Sequence, residues 1–277
     1  MEVVYSVMET IFPFEFMTYD FIKNSFLAIV IIAPLFGLLG TMIVNNKMSF
    51  FSDALGHSAL TGVALGALVG ISNYSISMII FAVVFALLLN YVRQKSVIAT
   101  DTLISVFSST AIAIGLVILS KYGGINKYSA YLVGDILSIN PKEILLLLGT
   151  LIFTIIIWVI IFNKLLAISV NPVLAKTKGI KTQVIENIFA VLIAIIVMVT
   201  IRWIGILLIN SLLILPAASS RNISSNVRQY TLFAILISLI SGVLGIIFSF
   251  TFGLATGPVI VVISAIIYFI TLVLKKV

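Results

Sequence analysis

Long apolar runs recur along the whole of this 277-residue sequence, and they restrict the folds available to it. A helix needs about 20 apolar residues to cross a bilayer, and several of the runs reach that length. Hydrophobic residues make up 62% of the chain and charged residues only 9%, which indicates an integral membrane protein. The nine candidate spans are 21–44, 54–71, 75–92, 102–120, 144–162, 184–201, 203–218, 231–250 and 255–274.

These runs predict an all-α, polytopic transmembrane helical bundle of about eight or nine spans, organised as one domain over residues 1–277. Because the spans take up most of the length, a separate water-soluble catalytic domain of the usual size does not fit. Any ATP-driven work must therefore come from another chain. Segment 129–139 is too short for a span, and we expect a re-entrant or surface helix there. Alternation of the spans puts Asp53 near the cytoplasmic end of its span, and an unwound segment at 45–52, buried among helices, would place an ion site there deeper.

The net charge of +7 indicates membrane topology rather than nucleic-acid binding. If the nine spans alternate, most basic loops fall on one side, which places the N-terminus outside and the C-terminus in the cytoplasm. The residues on the basic side are Arg93, Lys95, the lysines from 164 to 181, Arg221, Arg228, Lys275 and Lys276, whereas Lys121, Lys127 and Lys142 fall on the outer side. The chain has no cysteine, so it carries no disulfide and no thiolate metal ligand.

A carboxylate and the single histidine lie four residues apart in the stretch SDALGHSAL, at Asp53 and His57. At this spacing both side chains share one face of a helix. Charged groups at membrane depth usually face a partner or a polar cavity, so the pair predicts a cation site. The alternatives are that Asp53 caps the helix N-terminus and that His57 is hydrogen-bonded to a carbonyl.

The ligand chemistry of this pair suits manganese, iron(II) or zinc. One carboxylate oxygen and one imidazole nitrogen fit these ions, and they are a poor match for copper(I), which prefers sulfur. Two ligands are too few for tight binding. A two-fold axis along the pathway would bring two copies of each ligand together.

A short helix is predicted in the longest basic loop, over residues 171–180. Asn171 suits the N-cap, Pro172 the first helical position, and Gly179 the left-handed position beyond the end. Such a helix in a cytoplasmic loop either fits a groove on a partner subunit or lies on the membrane surface.

Five further polar residues have weaker indications. Asp101 begins a span, where helix capping or a salt bridge is expected. Asp135 either assists metal capture on the entry side or is a solvated loop carboxylate. Arg202 lies at a span boundary, where it extends to the interface or takes part in gating. Asn210 and Ser211 are expected to join helices through hydrogen bonds.

Four blocks of the sequence resemble the integral membrane permeases of bacterial metal-ion ABC importers. They are SDALGHSALTGVALG from Ser52, TDTLISVFSS from Thr100, NPVLAKTKGI from Asn171 and GILLINSLLILPAASSR from Gly205. Their order and spacing also match, and the resemblance covers nearly the whole chain. The sequence departs from the family where Asn171 replaces a frequent Asp, and where Gly56 and Thr61 replace the more usual Ser and Pro.

The resemblance implies a multi-pass protein of the bacterial plasma membrane that is not itself an enzyme and has no intrinsic cofactor. Its partners would be a second copy of the chain, two cytoplasmic ATPase subunits and an extracellular metal-binding protein. The cargo would be Mn²⁺ or Zn²⁺, with Fe²⁺ as a further candidate. The resemblance also implies that the short basic-loop helix contacts the ATPase, through Asn171, Pro172, Leu174, Ala175, Lys178 and Gly179.

Two other functions remain open on the sequence alone. A secondary cation transporter would work without ATP and would need a coupling-ion site, for which the chain has few membrane carboxylates. An intramembrane enzyme would need a clustered catalytic centre. The wide separation of Asp53, Asp101 and Asp135, together with a single histidine, disfavours such a centre.

Overall fold

The described part of the computed structural model is helical and comprises residues 5–6, 8–9, 18–71, 73–122, 131 and 134–275. No β-strand occurs within these residues, which confirms the all-α class. A 3-10 helix covers Ile136–Ser138. The α-helices are α1 (Asp20–Asn45), α2 (Ser49–Val69), α3 (Tyr74–Lys95), α4 (Thr100–Tyr122), α5 (Pro141–Val170), α6 (Pro172–Thr177), α7 (Thr182–Ile204), α8 (Ile206–Ile223), α9 (Val227–Phe252) and α10 (Thr256–Val273).

Seven of these helices are long and apolar enough to cross a membrane, namely α1, α3, α4, α5, α7, α9 and α10. The other two predicted spans correspond to α2 and α8, which carry polar residues such as Asp53 and Asn210 along their length. The polytopic bundle is therefore confirmed, with helices at all nine predicted positions.

Some helix boundaries differ from the sequence prediction for local physical reasons. The break predicted near residue 202 lies instead at Gly205, whose φ of 89° ends α7. Helix α5 continues beyond residue 162 to Val170, because no glycine or proline intervenes before Pro172. The expected unwound segment 45–52 is shorter than predicted. It is a turn at residues 46–48, with Lys47 at a φ of 55°, and α2 begins at Ser49.

The chain divides into two compact units, and the first, which we call the α2 unit, comprises residues 42–133 and 154–210. Helix α2 packs against α3, α4 and α7. Glycines allow this close packing, since a Cβ at Gly62 would lie 2.8 Å from the Met78 Cα atom of α3. The Thr61 hydroxyl donates a hydrogen bond to the Ala111 carbonyl of α4. Small residues and hydroxyl groups thus bind these helices together, as is common in membrane proteins.

The second unit, which we call the α9 unit, comprises residues 1–41, 134–153 and 211–277. Here α9 packs against α10, and a Cβ at Gly37 of α1 would lie 2.7 Å from the Ile235 Cα atom of α9. The buried Lys23 ammonium pairs with Glu9 at 2.6 Å and with Asp20 at 3.2 Å. Two carboxylates therefore compensate the burial of this cation.

Candidate functional site

One face of α2 is open, although most of this helix is buried. Phe50, Asp53, His57 and Leu60 are all at least partly exposed and recur at the three- and four-residue spacing of a single helical face. The intervening Ala54, Leu55 and Gly56 are buried. The carboxylate and the imidazole therefore lie on the more exposed face of α2.

Asp53 and His57 meet on this open face. The Nε2 atom of His57 lies 3.7 Å from Oδ1 of Asp53, and the two side chains are 31% and 42% exposed, respectively. Asp53 is not the N-cap of α2, because the helix begins a turn earlier and its N-cap is Met48. Within the described residues, the polar contact recorded for His57 is with Asp53 rather than with a backbone carbonyl. Both structural alternatives for the pair are therefore disfavoured.

The separation between these two atoms suits a shared metal ion. An ion about 2.1 Å from each atom would bridge them with an angle of about 124° at the metal, roughly 15° wider than the tetrahedral angle. No cluster of three or more His, Cys, Asp or Glu side chains that could hold a metal occurs among the described residues. Within the described residues, the pair would therefore offer an ion two ligands, and further donors would be needed to complete its coordination shell.

A hydrogen bond between helices supports α2 next to this pair. The Ser52 hydroxyl donates to Oδ1 of Asn210 at 2.5 Å. One turn further along α2, a Cβ at Gly56 would lie 3.6 Å from the Ile206 carbonyl oxygen. The first and last of the four sequence blocks thus pack against each other at residues 52–56 and 206–210. The sequence singled out both blocks and Asn210, but it contained no signal that Ser52 is the partner.

Among the described residues, Asp101 and Asp135, the other carboxylates that the sequence singled out, form no group of three or more possible metal ligands with the pair. Asp101 is exposed in the first turn of α4, and Arg202 is exposed in the last turn of α7. In the α9 unit, Oδ1 of Asp135 accepts a hydrogen bond from the Leu137 amide at 3.0 Å and caps the 3-10 helix. Ser211 also lies in the α9 unit and is partly exposed. The expected short helix in 129–139 is described only in part, since residues 129, 130, 132 and 133 lie outside the described residues.

Helix α6 has the local structure that the sequence predicts. Oδ1 of Asn171 accepts hydrogen bonds from the amides of Val173 and Leu174, both at 3.0 Å, so Asn171 is the N-cap. At the other end, Gly179 has a φ of 78° and its amide donates to the Lys176 carbonyl at 3.0 Å.

The amide of Ile180 completes this C-terminal turn by donating to the Ala175 carbonyl at 3.1 Å. These two bonds form a Schellman motif, which satisfies carbonyl groups at the end of α6. Ala175 is buried within the α2 unit, while Val173 and Leu174 are 71% and 54% exposed. The helix therefore presents two apolar side chains to a partner or a surface.

A polar cluster that the sequence analysis did not identify connects α3 to α7. Oε2 of Glu186 accepts a hydrogen bond from Nε2 of Gln94 at 2.9 Å and lies 3.5 Å from an Arg93 nitrogen. The Asn90 side-chain amide donates to Oδ1 of Asn187 at 2.5 Å. Polar residues at 90, 93 and 94 share one face of α3, and this spacing was the available signal. We call these five residues the Glu186 cluster.

Comparisons with known proteins agree on one family. A model described as the ABC 3 transport family matches residues 18–275. The manganese import system permease protein ScaB of Streptococcus parasanguinis is 26% identical over 253 residues, which cover 91% of this chain and 90% of that protein. The high-affinity zinc uptake system membrane protein ZnuB of Haemophilus influenzae is 30% identical over 242 residues, which cover 84% of this chain and 90% of that protein.

The fold also matches a solved structure. The structure of PsaBC from Streptococcus pneumoniae in complex with Fab contains a chain that aligns with a TM-score of 0.81 at 24% identity. The match covers 98% of this chain and 95% of the other. The helical arrangement is therefore shared with a known fold along almost the full sequence.

Proposed function

The chain belongs to the ABC 3 transport family, and we propose that it is the permease subunit through which an ATP-driven importer moves Mn²⁺ or Zn²⁺ across the membrane. The membership confirms the resemblance found in the four sequence blocks. In such an importer the permease is not an enzyme, and ATP hydrolysis takes place on a separate subunit. A secondary transporter driven by an ion gradient is not favoured.

The metal cargo is supported by the relatives and by the chemistry of the open face of α2. The named relatives are a manganese import permease and a zinc uptake membrane protein. A carboxylate oxygen and an imidazole nitrogen are ligands that both ions accept. Fe²⁺ has the same preferences and is the third candidate.

The observation that carries the proposal is the 3.7 Å approach of Asp53 and His57 on the open face of α2. A second copy of the chain, related by a two-fold axis, would add its own carboxylate and imidazole and bring the ligand count to four. Weak ligation by partly exposed side chains suits a conduit, because an ion that is held too tightly cannot leave.

The proposal extends to orientation and partners. The N-terminus lies outside and the C-terminus in the cytoplasm, so α6 is a cytoplasmic helix that docks on the ATPase. Its exposed Val173 and Leu174 would fill an apolar groove on that subunit. An extracellular metal-binding protein delivers the ion to the opposite side.

Reconstitution into liposomes with the ATPase subunits and the metal-binding protein tests the function. We expect ATP-dependent Mn²⁺ or Zn²⁺ uptake that an excess of Mg²⁺ does not block, and a loss of about tenfold or more in Asp53→Ala and His57→Ala. Asp101→Ala, which removes an exposed carboxylate outside the pair, is the matched control and should transport normally. Gradient-driven uptake without ATP would contradict the importer, and near-normal uptake in both site variants would exclude the pair as ligands.

A further inference from the structure

The Glu186 cluster holds one end of α3 against the beginning of α7. It is not part of the proposed metal site. We propose that Glu186 is a positioning residue for transport, which keeps α3 and α7 together so that a movement of α6 reaches α2. This inference rests on the proposed function, because it takes α6 to be the helix that contacts the ATPase.

The first step runs from α6 to α7 through a short, hydrogen-bonded connection. Only residues 178–181 separate the two helices, and α6 packs on α7. The Ile180 amide is bonded back to Ala175, and the Val184 amide donates to the Lys181 carbonyl at 3.1 Å. Hydrogen bonds at both ends limit the conformational freedom of this connection. A displacement of α6 should therefore also displace the first turns of α7.

Helix α7 provides the packed connection between α6 and α3. A pocket of about 730 Å³ is lined by Pro172 and Lys176 of α6, by Gln94 of α3 and by Glu186 of α7. Residues of α6, of α7 and of the end of α3 thus line one pocket. Helix α7 packs against both α6 and α3, so it offers a packed route from one to the other.

The second step runs from α7 to α3 through the cluster itself. Glu186 contacts Arg93 and Gln94. In the ion pair, the Arg93 side chain is 14% exposed and the Glu186 side chain is 21% exposed. Limited exposure reduces screening by salt. The adjacent Asn187 binds the fully buried Asn90 one turn earlier on α3. Contacts on two successive turns fix both the rotation of α3 and its position along α7.

The third step runs from α3 to α2, which carries the proposed metal ligands. The Ser77 hydroxyl donates to the Gly62 carbonyl at 2.6 Å. A Cβ at Gly66 would lie 2.7 Å from the Ser77 Cβ atom, so the two backbones are in close contact. Closely packed helices transmit displacement rather than absorb it.

The test measures metal ions imported per ATP hydrolysed by the complete reconstituted complex. We expect Glu186→Ala to lower this ratio by about two- to tenfold while ATP hydrolysis persists. The charge exchange Arg93→Glu with Glu186→Arg should restore the ratio to within about twofold of the native value. Tyr91→Phe is the matched control, because it removes a 2.6 Å hydrogen bond to Lys95 that lies within α3 and joins no second helix.

Gln94→Ala provides a milder variant at an exposed position, where loss of folding is not expected, and it should lower the ratio in the same direction. An unchanged ratio in this variant, or a charge exchange that restores nothing, overturns the role of Glu186. Equal losses of import and hydrolysis in Glu186→Ala overturn it as well. A native complex that imports no metal contradicts the proposed function instead, so the two failures are distinguishable.

Discussion

Nε2 of His57 lies 3.7 Å from Oδ1 of Asp53, across one turn of α2. This distance is longer than a good hydrogen bond, so Oδ1 of Asp53 does not accept one from Nε2 of His57. The same distance allows an ion to bridge them at ordinary metal–ligand lengths. In the proposed site, a metal ion would therefore replace only a weak contact between the two side chains.

Replacing the imidazole by a softer ligand should change the metal preference. In His57→Cys, the new thiol is unique because the native chain has no cysteine. Thiolate favours Zn²⁺ and Cd²⁺ over Mn²⁺, so competition by these ions against Mn²⁺ uptake should strengthen by about tenfold. Leu60→Cys, which places a thiol on the same open face one turn further on, is the control. The same ranking of metals in His57→Cys and the native protein would contradict direct ligation.

Conservative changes at the pair should impair transport without weakening the fold. The His57 and Asp53 side chains are 31% and 42% exposed, so neither is part of the buried core. Asp53→Asn and His57→Gln should therefore change the free energy of unfolding by no more than about 0.5 kcal/mol. Thermal unfolding of the purified protein measures this. A large destabilisation would mean that the pair serves the fold.

Features that depend on neighbouring residues could be predicted from the sequence. Apolar runs located the helices, because the bilayer sets both the length and the polarity of a span. Asn171, Pro172 and Gly179 predicted the limits of α6, because capping requires only residues within one turn. The start of α2 was less clear, since Met48 provides no side-chain cap.

Contacts between distant segments could not be predicted in the same way. Ser52 and Asn210 are 158 residues apart, and Gln94 and Glu186 are 92 apart. Their pairing depends on how α2, α3, α7 and α8 pack, and one sequence does not reveal that arrangement. Composition and spacing identified the polar residues but left their partners undetermined.

The hydrogen bond between Ser52 and Asn210 should make a measurable but small contribution to stability. Hydrogen bonds between helices in membranes average about 0.6 kcal/mol and reach about 1.7 kcal/mol. In a double-mutant cycle with Ser52→Ala and Asn210→Ala, we expect a coupling energy in this range from unfolding in detergent. A coupling energy of zero would show that the two side chains make no net interaction.

Gly62 should not tolerate even one added methyl group. In Gly62→Ala the new Cβ would lie 2.8 Å from the Met78 Cα atom, which belongs to backbone and cannot move aside alone. The clash should cost about 1–3 kcal/mol of stability. Gly149→Ala is the matched control, since its added Cβ would meet nothing within 4 Å beyond its chain neighbours and the nearby backbone of its own helix. That control should be neutral or should stabilise α5 by up to about 1 kcal/mol. Equal melting temperatures for the two variants would contradict the close packing of α2 and α3.

Substitutions that remove a cap of α6 should lower transport, and a substitution that keeps the cap should not. Asn171→Ala removes the acceptor for the Val173 and Leu174 amides and should cost this short helix about 1 kcal/mol. Gly179→Ala should cost about 1–2 kcal/mol, because its φ of 78° disfavours a side chain.

Asn171→Asp keeps a side-chain acceptor and adds a negative charge at the helix N-terminus, so this cap should be retained or strengthened. Complexes with Asn171→Asp should therefore import metal as the native complex does. Complexes with Asn171→Ala or Gly179→Ala should import less metal, and adding ATP should increase their uptake less. Because residues 171–179 lie outside the predicted spans, the melting temperature of the transmembrane helices should remain unchanged in all three variants. If Asn171→Asp fails as badly as Asn171→Ala, the amide group itself is required and capping does not explain the role of this residue.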